Sequence, residues 1–297
     1  MRIPTESYQA IYDRYSATIA WMNSLGVSLG RGRTAHYDKV LEYWKDNYKS
    51  ASDEETKKRF PDFVSSIFEI HEFLGIYESL KSVPTSKLGS IASKLQNAVN
   101  GPIRASDESP NSTAARNYLF EAIVAAKAHK PSGGVTAILD AKSDTGINFQ
   151  HKKLWVECKR ITSPEGIEKN VRKASNQLES IFRKNVGAGH RGLVALEVSK
   201  IFNDGDKLLV RRNDAELSKT IAEITESFIK NYSGVWQRVF AKKHPKIIGL
   251  IVRTSYMATS EDRNLLVHVS DYGINPRIGI SESNSNLQKS LVKVLKS

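Results

Sequence analysis

The sequence predicts an α/β protein in which an all-α N-terminal domain precedes a domain with a mixed β-sheet. In the N-terminal region, apolar side chains recur at the spacing of a helix, as at Tyr8, Ile11, Tyr12 and Tyr15. The second half alternates short apolar runs with long amphipathic stretches. That succession is typical of strands packed against helices.

The N-terminal domain is predicted to be a set of helices followed by a linker. The pattern favours helices over residues 5–25, 34–49, 52–77 and 85–99, and Pro61 is expected to break or kink the third. Residues 1–101 form this domain and 112–297 the second, because segment 102–111 has the Pro and Ser content of a linker. The helices are expected to serve recognition, an activating partner or a homodimer.

The second domain is predicted to begin with a helix and continue into a β-hairpin. Its predicted elements are a helix over 113–130, a strand over 135–139, a hairpin over 144–159, a helix over 167–182, a strand over 192–199, a helix over 214–239, strands over 247–252 and 265–269, and a helix from 283.

The hairpin carries the most informative residues of the chain. The apolar run Leu154–Val156 leads into Glu157 and Lys159, which project to one face of the strand, while Cys158 points to the other. Charged side chains are costly to bury without a partner. Glu157 and Lys159 therefore form either a metal site or an ion pair, whereas Cys158 is expected in the core. A second Glu-x-Lys, at 55–57, lies in a charged predicted helix, and this pattern indicates a solvent-exposed helix face.

A second carboxylate is predicted beside Glu157. Asp144 opens the first strand of the hairpin, so it is expected near the end of the second strand. Asp140 also follows a strand and competes for this position, and Asp144 is preferred because its strand pairs with that of Glu157. Two carboxylates beside a lysine suit a hard divalent cation such as Mg²⁺.

Asp144 together with Glu157-Cys158-Lys159 at a strand end resembles the PD-(D/E)xK, or restriction-endonuclease-like, nuclease superfamily, with Ser143 where members usually have Pro. The resemblance implies an αβββαβ core and a Mg²⁺-dependent endonuclease that hydrolyses phosphodiester bonds, with Mn²⁺ expected to substitute. It implies that Asp144, Glu157, the Cys158 carbonyl and Glu121 bind the metal. Lys159 would act on water or on phosphate charge, and Gln177 would position substrate or water. A role in restriction or defence against foreign DNA follows by analogy.

The charge distribution predicts a nucleic-acid partner, and the resemblance to restriction-endonuclease-like nucleases favours DNA over RNA. Residues 1–110 hold 14 Lys and Arg against 14 Asp and Glu, so the net charge of +12 lies entirely in the second half. The candidate phosphate contacts are Arg160, Lys169, Arg172 and Lys173, for which a solvated helical face is the alternative.

Several function classes are excluded or disfavoured. The sequence lacks a membrane-spanning apolar run, a phosphate-binding Gly-rich loop and a dinucleotide fingerprint. Its single cysteine, Cys158, suits a reducing cytoplasm, and no membrane partner is expected. The rival prediction is a catalytically silent nucleic-acid-binding protein or an assembly module with the same fold.

Overall fold

The structure is a computed structural model that describes residues 6–30, 32–109, 111–139, 144–184, 187–262 and 265–296. Its α-helices are Tyr8–Ser24 (α1), Arg33–Asn47 (α2), Asp53–Leu80 (α3), Gly89–Ala98 (α4), Ala114–Lys127 (α5), Ile167–Phe182 (α6), Ser199–Phe202 (α7), Asp214–Ala241 (α8) and Glu282–Lys296 (α9). Its strands are Val135–Ile138 (β1), Thr145–Phe149 (β2), Lys152–Arg160 (β3), His190–Glu197 (β4), Leu209–Arg211 (β5), Ile247–Ser260 (β6) and Leu265–Pro276 (β7). The predicted α/β class with a helical N-terminal region is confirmed. None of the helices just named is long and apolar enough to cross a membrane.

Contacts between residues divide the chain into two compact units. The first comprises residues 1–119, 202–220 and 255–269, and the second comprises 120–201, 221–254 and 270–297. The predicted linker, 102–111, falls within the first unit. The domain boundaries given by the sequence stay a prediction. The two units are defined only by the contacts between residues.

The second unit contains a mixed sheet that begins with an antiparallel meander. Strands β1, β2 and β3 pair antiparallel in that order, and β3, β4 and β6 then pair in parallel. Strand β7 also pairs with β6. In the first unit, β5 pairs in parallel with the last residues of β6.

Helices cover both faces of the sheet in the second unit. Leu154, Val156 and Cys158 of β3 share one core cluster with Phe120 of α5 and Leu291 of α9. Trp155 belongs to a second cluster, which includes Leu178 of α6 and Trp236 of α8. Because side chains alternate along a strand, Glu157 and Lys159 follow Trp155 onto the face covered by α6 and α8.

Of the two outcomes predicted at Pro61, a break or a kink, the break does not occur. The helix runs from Asp53 to Leu80 with Pro61 inside it, and Ser52 caps its start by accepting a hydrogen bond from the Glu55 N–H at 3.2 Å. Proline removes one helical hydrogen bond. The buried face that includes Ile67, Ile70 and Phe73 holds the helix together in spite of that loss.

Strands β6 and β7 are longer than predicted. The apolar runs 247–252 and 265–269 extend to Ile247–Ser260 and Leu265–Pro276. The extra residues of β6 begin with Arg253, Thr254 and Ser255, which are polar and yet buried. The strands were predicted from hydrophobic periodicity, which polar residues do not show. The continuation of β6 through these residues was therefore not predicted.

Buried charges organise the first unit around α3. Glu69 accepts from Arg33 Nη1 at 3.0 Å and from Arg116 Nε at 2.5 Å. The backbone oxygen of Ile103 accepts from the Tyr37 hydroxyl and from Arg116 Nη2, both at 2.8 Å. The segment that had the composition of a linker is therefore fixed by hydrogen bonds to α2 and to the start of α5.

A pair of histidines, His71 on α3 and His268 on β7, lies in the same unit. The His71 ring stacks on that of His268, with centroids 5.5 Å apart and ring planes 11° apart. His268 Nε2 lies 3.0 Å from Glu72 Oε1 and 2.8 Å from Ser255 Oγ. Burial and then the neighbouring His268 lower the pKa of His71 to about 3.

The low pKa of His71 predicts a loss of stability in acid. An unfolded histidine binds a proton below about pH 6.5, whereas folded His71 stays neutral until about pH 3. The unfolded state therefore binds more protons in this window, and stability falls as the pH falls. We expect His71→Phe to reduce the drop in unfolding free energy between pH 6.5 and pH 4.5 by about 2 kcal/mol. Urea titrations measure this, with His151→Asn at an exposed histidine as the control. Parallel curves for His71→Phe and wild type would contradict the assignment.

Candidate active site

A tight turn fixes the register of the two strands that carry the candidate site. Gln150 and His151 join β2 to β3 with backbone φ angles of 49° and 58°. Two central residues with positive φ are characteristic of the type I′ turn, whose twist matches that of a hairpin. The register runs from Phe149 opposite Lys152 to Thr145 opposite Val156. Asp144 and Glu157, which come next on each strand, are thereby brought to the same end of the hairpin.

The structure brings together three of the residues singled out in the sequence. Asp144 Oδ2 accepts a hydrogen bond from the Cys158 backbone N–H at 2.8 Å and lies 3.3 Å from Lys159 Nζ. Lys159 Nζ also lies 3.6 Å from Glu157 Oε2. One ammonium group therefore faces two carboxylates.

The electrostatics of this group are unbalanced. Glu157 is 2 % exposed. Its burial, and then the negative charge of Asp144, raise the pKa of Glu157 to about 8. Burial opposes the charged form of Lys159, but Asp144 and then Glu157 outweigh it, so the pKa of Lys159 is raised. With a pKa of about 8, Glu157 keeps its proton at neutral pH unless a further positive charge stabilises its carboxylate.

Cys158 is a packing residue, as its alternation predicted. The side chain is buried in the cluster that contains Leu154 and Val156. Burial raises the pKa of the Cys158 thiol well above its usual value, with Asp144 as the next cause. A thiol that resists ionisation is a poor nucleophile. In the structure, Cys158 contributes to the site through its backbone N–H.

The donor set fits Mg²⁺ through two carboxylates. Glu157 Oε2 is a buried oxygen without a hydrogen-bond partner among the described residues, which suits a position for a cation. Within the described ranges, no three His, Cys, Asp or Glu side chains form a group that could hold a metal ion. Mg²⁺ is commonly held by one or two carboxylates together with water, and Asp144 and Glu157 match that donor set. Asp140, the alternative ligand, lies outside the described residues, as does Ser143.

The remaining predicted site residues lie on the helices that flank the hairpin. Glu121 is buried on α5, and its backbone oxygen accepts a hydrogen bond from Thr145 Oγ1 at 3.1 Å. Its charge contributes to the raised pKa of Cys158, and its predicted role at the metal stays a prediction. Gln177 lies on α6 and lines a groove of about 650 Å³ together with Lys169, Arg172 and Lys173.

Arg160 makes an internal contact. Its Nε lies 3.2 Å from Glu197 Oε2, and each of these side chains is 7 % exposed. Glu197 also accepts a hydrogen bond from the Ser199 N–H at 2.9 Å. Strand register aligns Arg160, Glu197 and Arg253 across β3, β4 and β6.

Sequence reasoning missed Glu197 and Arg253. Each follows a buried apolar run within its strand, as Glu157 does, and both are themselves buried. The signal that identified Glu157 therefore also existed for these two residues. The row of charges shows that a buried charge at a strand end can also have a structural role.

Comparisons of the chain with protein-family models, with curated proteins and with solved structures returned no match.

The buried pair of Arg160 and Glu197 predicts a stability effect. Glu197→Leu removes the carboxylate that faces Arg160 and the acceptor for Ser199, and we expect a loss of about 3–5 kcal/mol in unfolding free energy. Urea denaturation measures it. The double variant Arg160→Met/Glu197→Leu removes both charges and should recover most of the loss. A Glu197→Leu protein as stable as wild type would show that the pair does not hold the strand ends together.

Proposed function

We propose that this chain is a metal-dependent nuclease that hydrolyses phosphodiester bonds of nucleic acid, with DNA as its substrate. The observation that carries the proposal is the convergence of Asp144, Glu157 and Lys159 at one end of the β2–β3 hairpin. Buried Glu157 has one carboxylate oxygen without a hydrogen-bond partner in the described part of the chain.

The order of elements supports a restriction-endonuclease-like core. Helix α5 is followed by β1, β2 and β3, then by α6 and β4. This is the αβββαβ succession that the resemblance to the PD-(D/E)xK superfamily implies. The first three strands form a meander, and β4 adds in parallel to β3, which carries Glu157 and Lys159.

An ion pair alone accounts less well for the site than a metal does. An ion pair needs one carboxylate for one ammonium, whereas Lys159 faces two. The cost of the second carboxylate appears in the raised pKa of Glu157, at about 8. A divalent cation at these two carboxylates would supply the positive charge that Lys159 alone does not provide.

The roles of the residues follow from their positions. Asp144 and Glu157 would hold Mg²⁺, for which Mn²⁺ can substitute. An ion held by these two carboxylates would supply polarisation of a phosphoryl oxygen and a water of lowered pKa. Asp144 holds the strand end by accepting from the Cys158 N–H. We propose that the Lys159 ammonium, 14 % exposed, stabilises charge that develops on the phosphate.

The groove on α6 carries the candidate phosphate contacts. Lys169, Arg172 and Lys173 line it together with Gln177, and so do Glu165 and Glu168, of which Glu168 pairs with Arg172. The excess of Lys and Arg lies in the half of the chain after residue 110. We propose that this groove contacts substrate phosphates, and that Arg160, which pairs with Glu197, does not.

The one cysteine is free and buried, which fits the cytoplasmic location that we propose. Restriction, or defence against foreign DNA, is the pathway we propose.

Removal of either charged partner at the site should abolish cleavage. We expect Glu157→Gln and Lys159→Met each to lower the rate of Mg²⁺-dependent cleavage of supercoiled plasmid and linear duplex by about a hundredfold or more. Addition of EDTA to the wild type should have the same effect. The control is the chain's second Glu-x-Lys, on α3: Glu55→Gln and Lys57→Met should cut at the wild-type rate.

Binding and cleavage should separate in these variants. Glu157→Gln and Lys159→Met are expected to bind duplex DNA in EDTA with the wild-type affinity. Cleavage that survives both substitutions would contradict the assignment. Salt-sensitive binding by a wild-type protein that does not cut under any metal condition would favour the catalytically silent binder.

The groove on α6 predicts a change in salt dependence. Removal of one cation that neutralises a phosphate lowers the slope of log affinity against log salt by about one. Lys169→Glu/Lys173→Glu should therefore lower the slope by about two and weaken duplex binding. Fluorescence anisotropy at several salt concentrations measures this, with Lys57→Glu/Lys58→Glu on α3 as the charge-matched control. Equal slopes for the groove variant and the control would show that the α6 cations only face solvent.

A further inference from the structure

A second basic surface lies at the other end of the β2–β3 hairpin. A cleft of about 880 Å³ has His151, Lys152, Lys153 and His190 along its walls, with Gly187 and Gly189 beside them. We call it the hairpin cleft. Lys152 and Lys159 are seven residues apart on β3, which is about 23 Å at about 3.3 Å per residue. The hairpin cleft is therefore separate from the carboxylate site.

The lining of the hairpin cleft is basic. Among the described residues that line it, none is Asp or Glu, while two are Lys and two are His. The Lys153 ammonium lies over the Trp155 ring, 5.6 Å from its centroid. Trp155 Nε1 donates a hydrogen bond to His190 Nδ1 at 3.3 Å. Neutral His190 consequently carries its proton on Nε2, which is a donor suited to an anion.

Positive charges gather around His190. Burial, and then Lys153 and Lys246, lower the pKa of His190. Like charges held close together raise the free energy of the folded protein. A bound anion would remove this cost, as happens where phosphates meet clusters of Lys and Arg.

The walls of the hairpin cleft are tied to each other. Lys153 N donates to Gly189 O at 3.2 Å, and Lys246 Nζ donates to Gly187 O at 3.1 Å. Gln150 and His151 adopt left-handed φ angles without being glycine, which is an uncommon and costly conformation for such residues. The turn thus presents the exposed His151 and the adjacent Lys152 from a fixed backbone.

We propose that the hairpin cleft binds the phosphate backbone of duplex DNA at a distance from the bond that is cut. The inference rests on the proposed nuclease function and specifies its substrate class. At about 3.4 Å per base pair, a span of about 23 Å corresponds to about seven base pairs. The substrate is then a polynucleotide that extends at least about seven base pairs from the scissile phosphate, and not a nucleotide or a short oligonucleotide.

The test compares duplex lengths in two charge-matched variants. Fluorescence anisotropy in EDTA measures the binding of two duplexes, one of about 30 base pairs, which exceeds the span, and one of about 6 base pairs, which falls short of it. The proteins are wild type, Lys152→Glu/Lys153→Glu and Lys57→Glu/Lys58→Glu. We expect the cleft variant to bind the long duplex at least about tenfold more weakly and to lower its salt slope by about two. Its affinity for the short duplex, which cannot reach the hairpin cleft and the carboxylate site together, should fall by much less.

Two further measurements distinguish a loss of charge from misfolding and a DNA site from a small-anion site. Lys152→Arg/Lys153→Arg keeps the charge and should bind the long duplex as wild type does, which separates charge from misfolding. Inorganic phosphate is titrated against the His190 ring signals in NMR spectra. Saturation by phosphate alone at micromolar concentration would overturn the proposal in favour of a small-anion site. Unchanged binding of the long duplex by Lys152→Glu/Lys153→Glu would also overturn it.

The two proposals can fail independently of each other. If wild type cleaves DNA in a Lys159-dependent way but the cleft variant binds normally, the nuclease stands and the cleft proposal fails. If binding depends on the cleft but no metal supports cleavage, the cleft proposal stands and the catalytic assignment fails.

Discussion

The site depends on the burial of Glu157 next to a second carboxylate. A strand that ends in the core has to satisfy any charge that it carries, and here Lys159 is shared between Glu157 and Asp144. Burial and the charge of Asp144 leave Glu157 with a pKa of about 8. That arrangement is unfavourable for a fold alone. It becomes understandable if the site holds a divalent cation, because the cation supplies the missing positive charge.

The sheet positions this group with little freedom. The turn at Gln150 and His151 sets the register, and a slip of one residue would move Glu157 to the opposite face. Parallel pairing of β3 with β4 fixes the second edge of the strand. Core clusters on both faces, one with α5 and α9 and one with α6 and α8, prevent rotation of β3. The same hairpin carries the carboxylates at one end and the basic residues of the hairpin cleft at the other.

Much of the hairpin and of the candidate site could be predicted, because the local sequence pattern agrees with the packing around it. The apolar run before Glu157, the alternation that buries Cys158 and the short turn between the strands each follow from the sequence. Other features could not be predicted in this way. The polar residues Arg253 to Ser255 continue β6 although they lack strand periodicity, and α3 continues through Pro61 because packing outweighs the one hydrogen bond that proline removes. The hydrogen bonds of Ile103 depend on partners distant in sequence, so composition alone made its segment resemble a linker.

The central claim is that Asp144 and Glu157 form a metal site. The most direct test is the anomalous diffraction of crystals grown with Mn²⁺, with the Asp144→Asn protein grown under the same conditions. The account predicts an anomalous peak in contact with the carboxylates of Asp144 and Glu157 in the wild type and its loss in the variant. Crystals at saturating Mn²⁺ with Lys159 still bridging the two carboxylates, and no peak beside them, would show that the group is a structural ion pair.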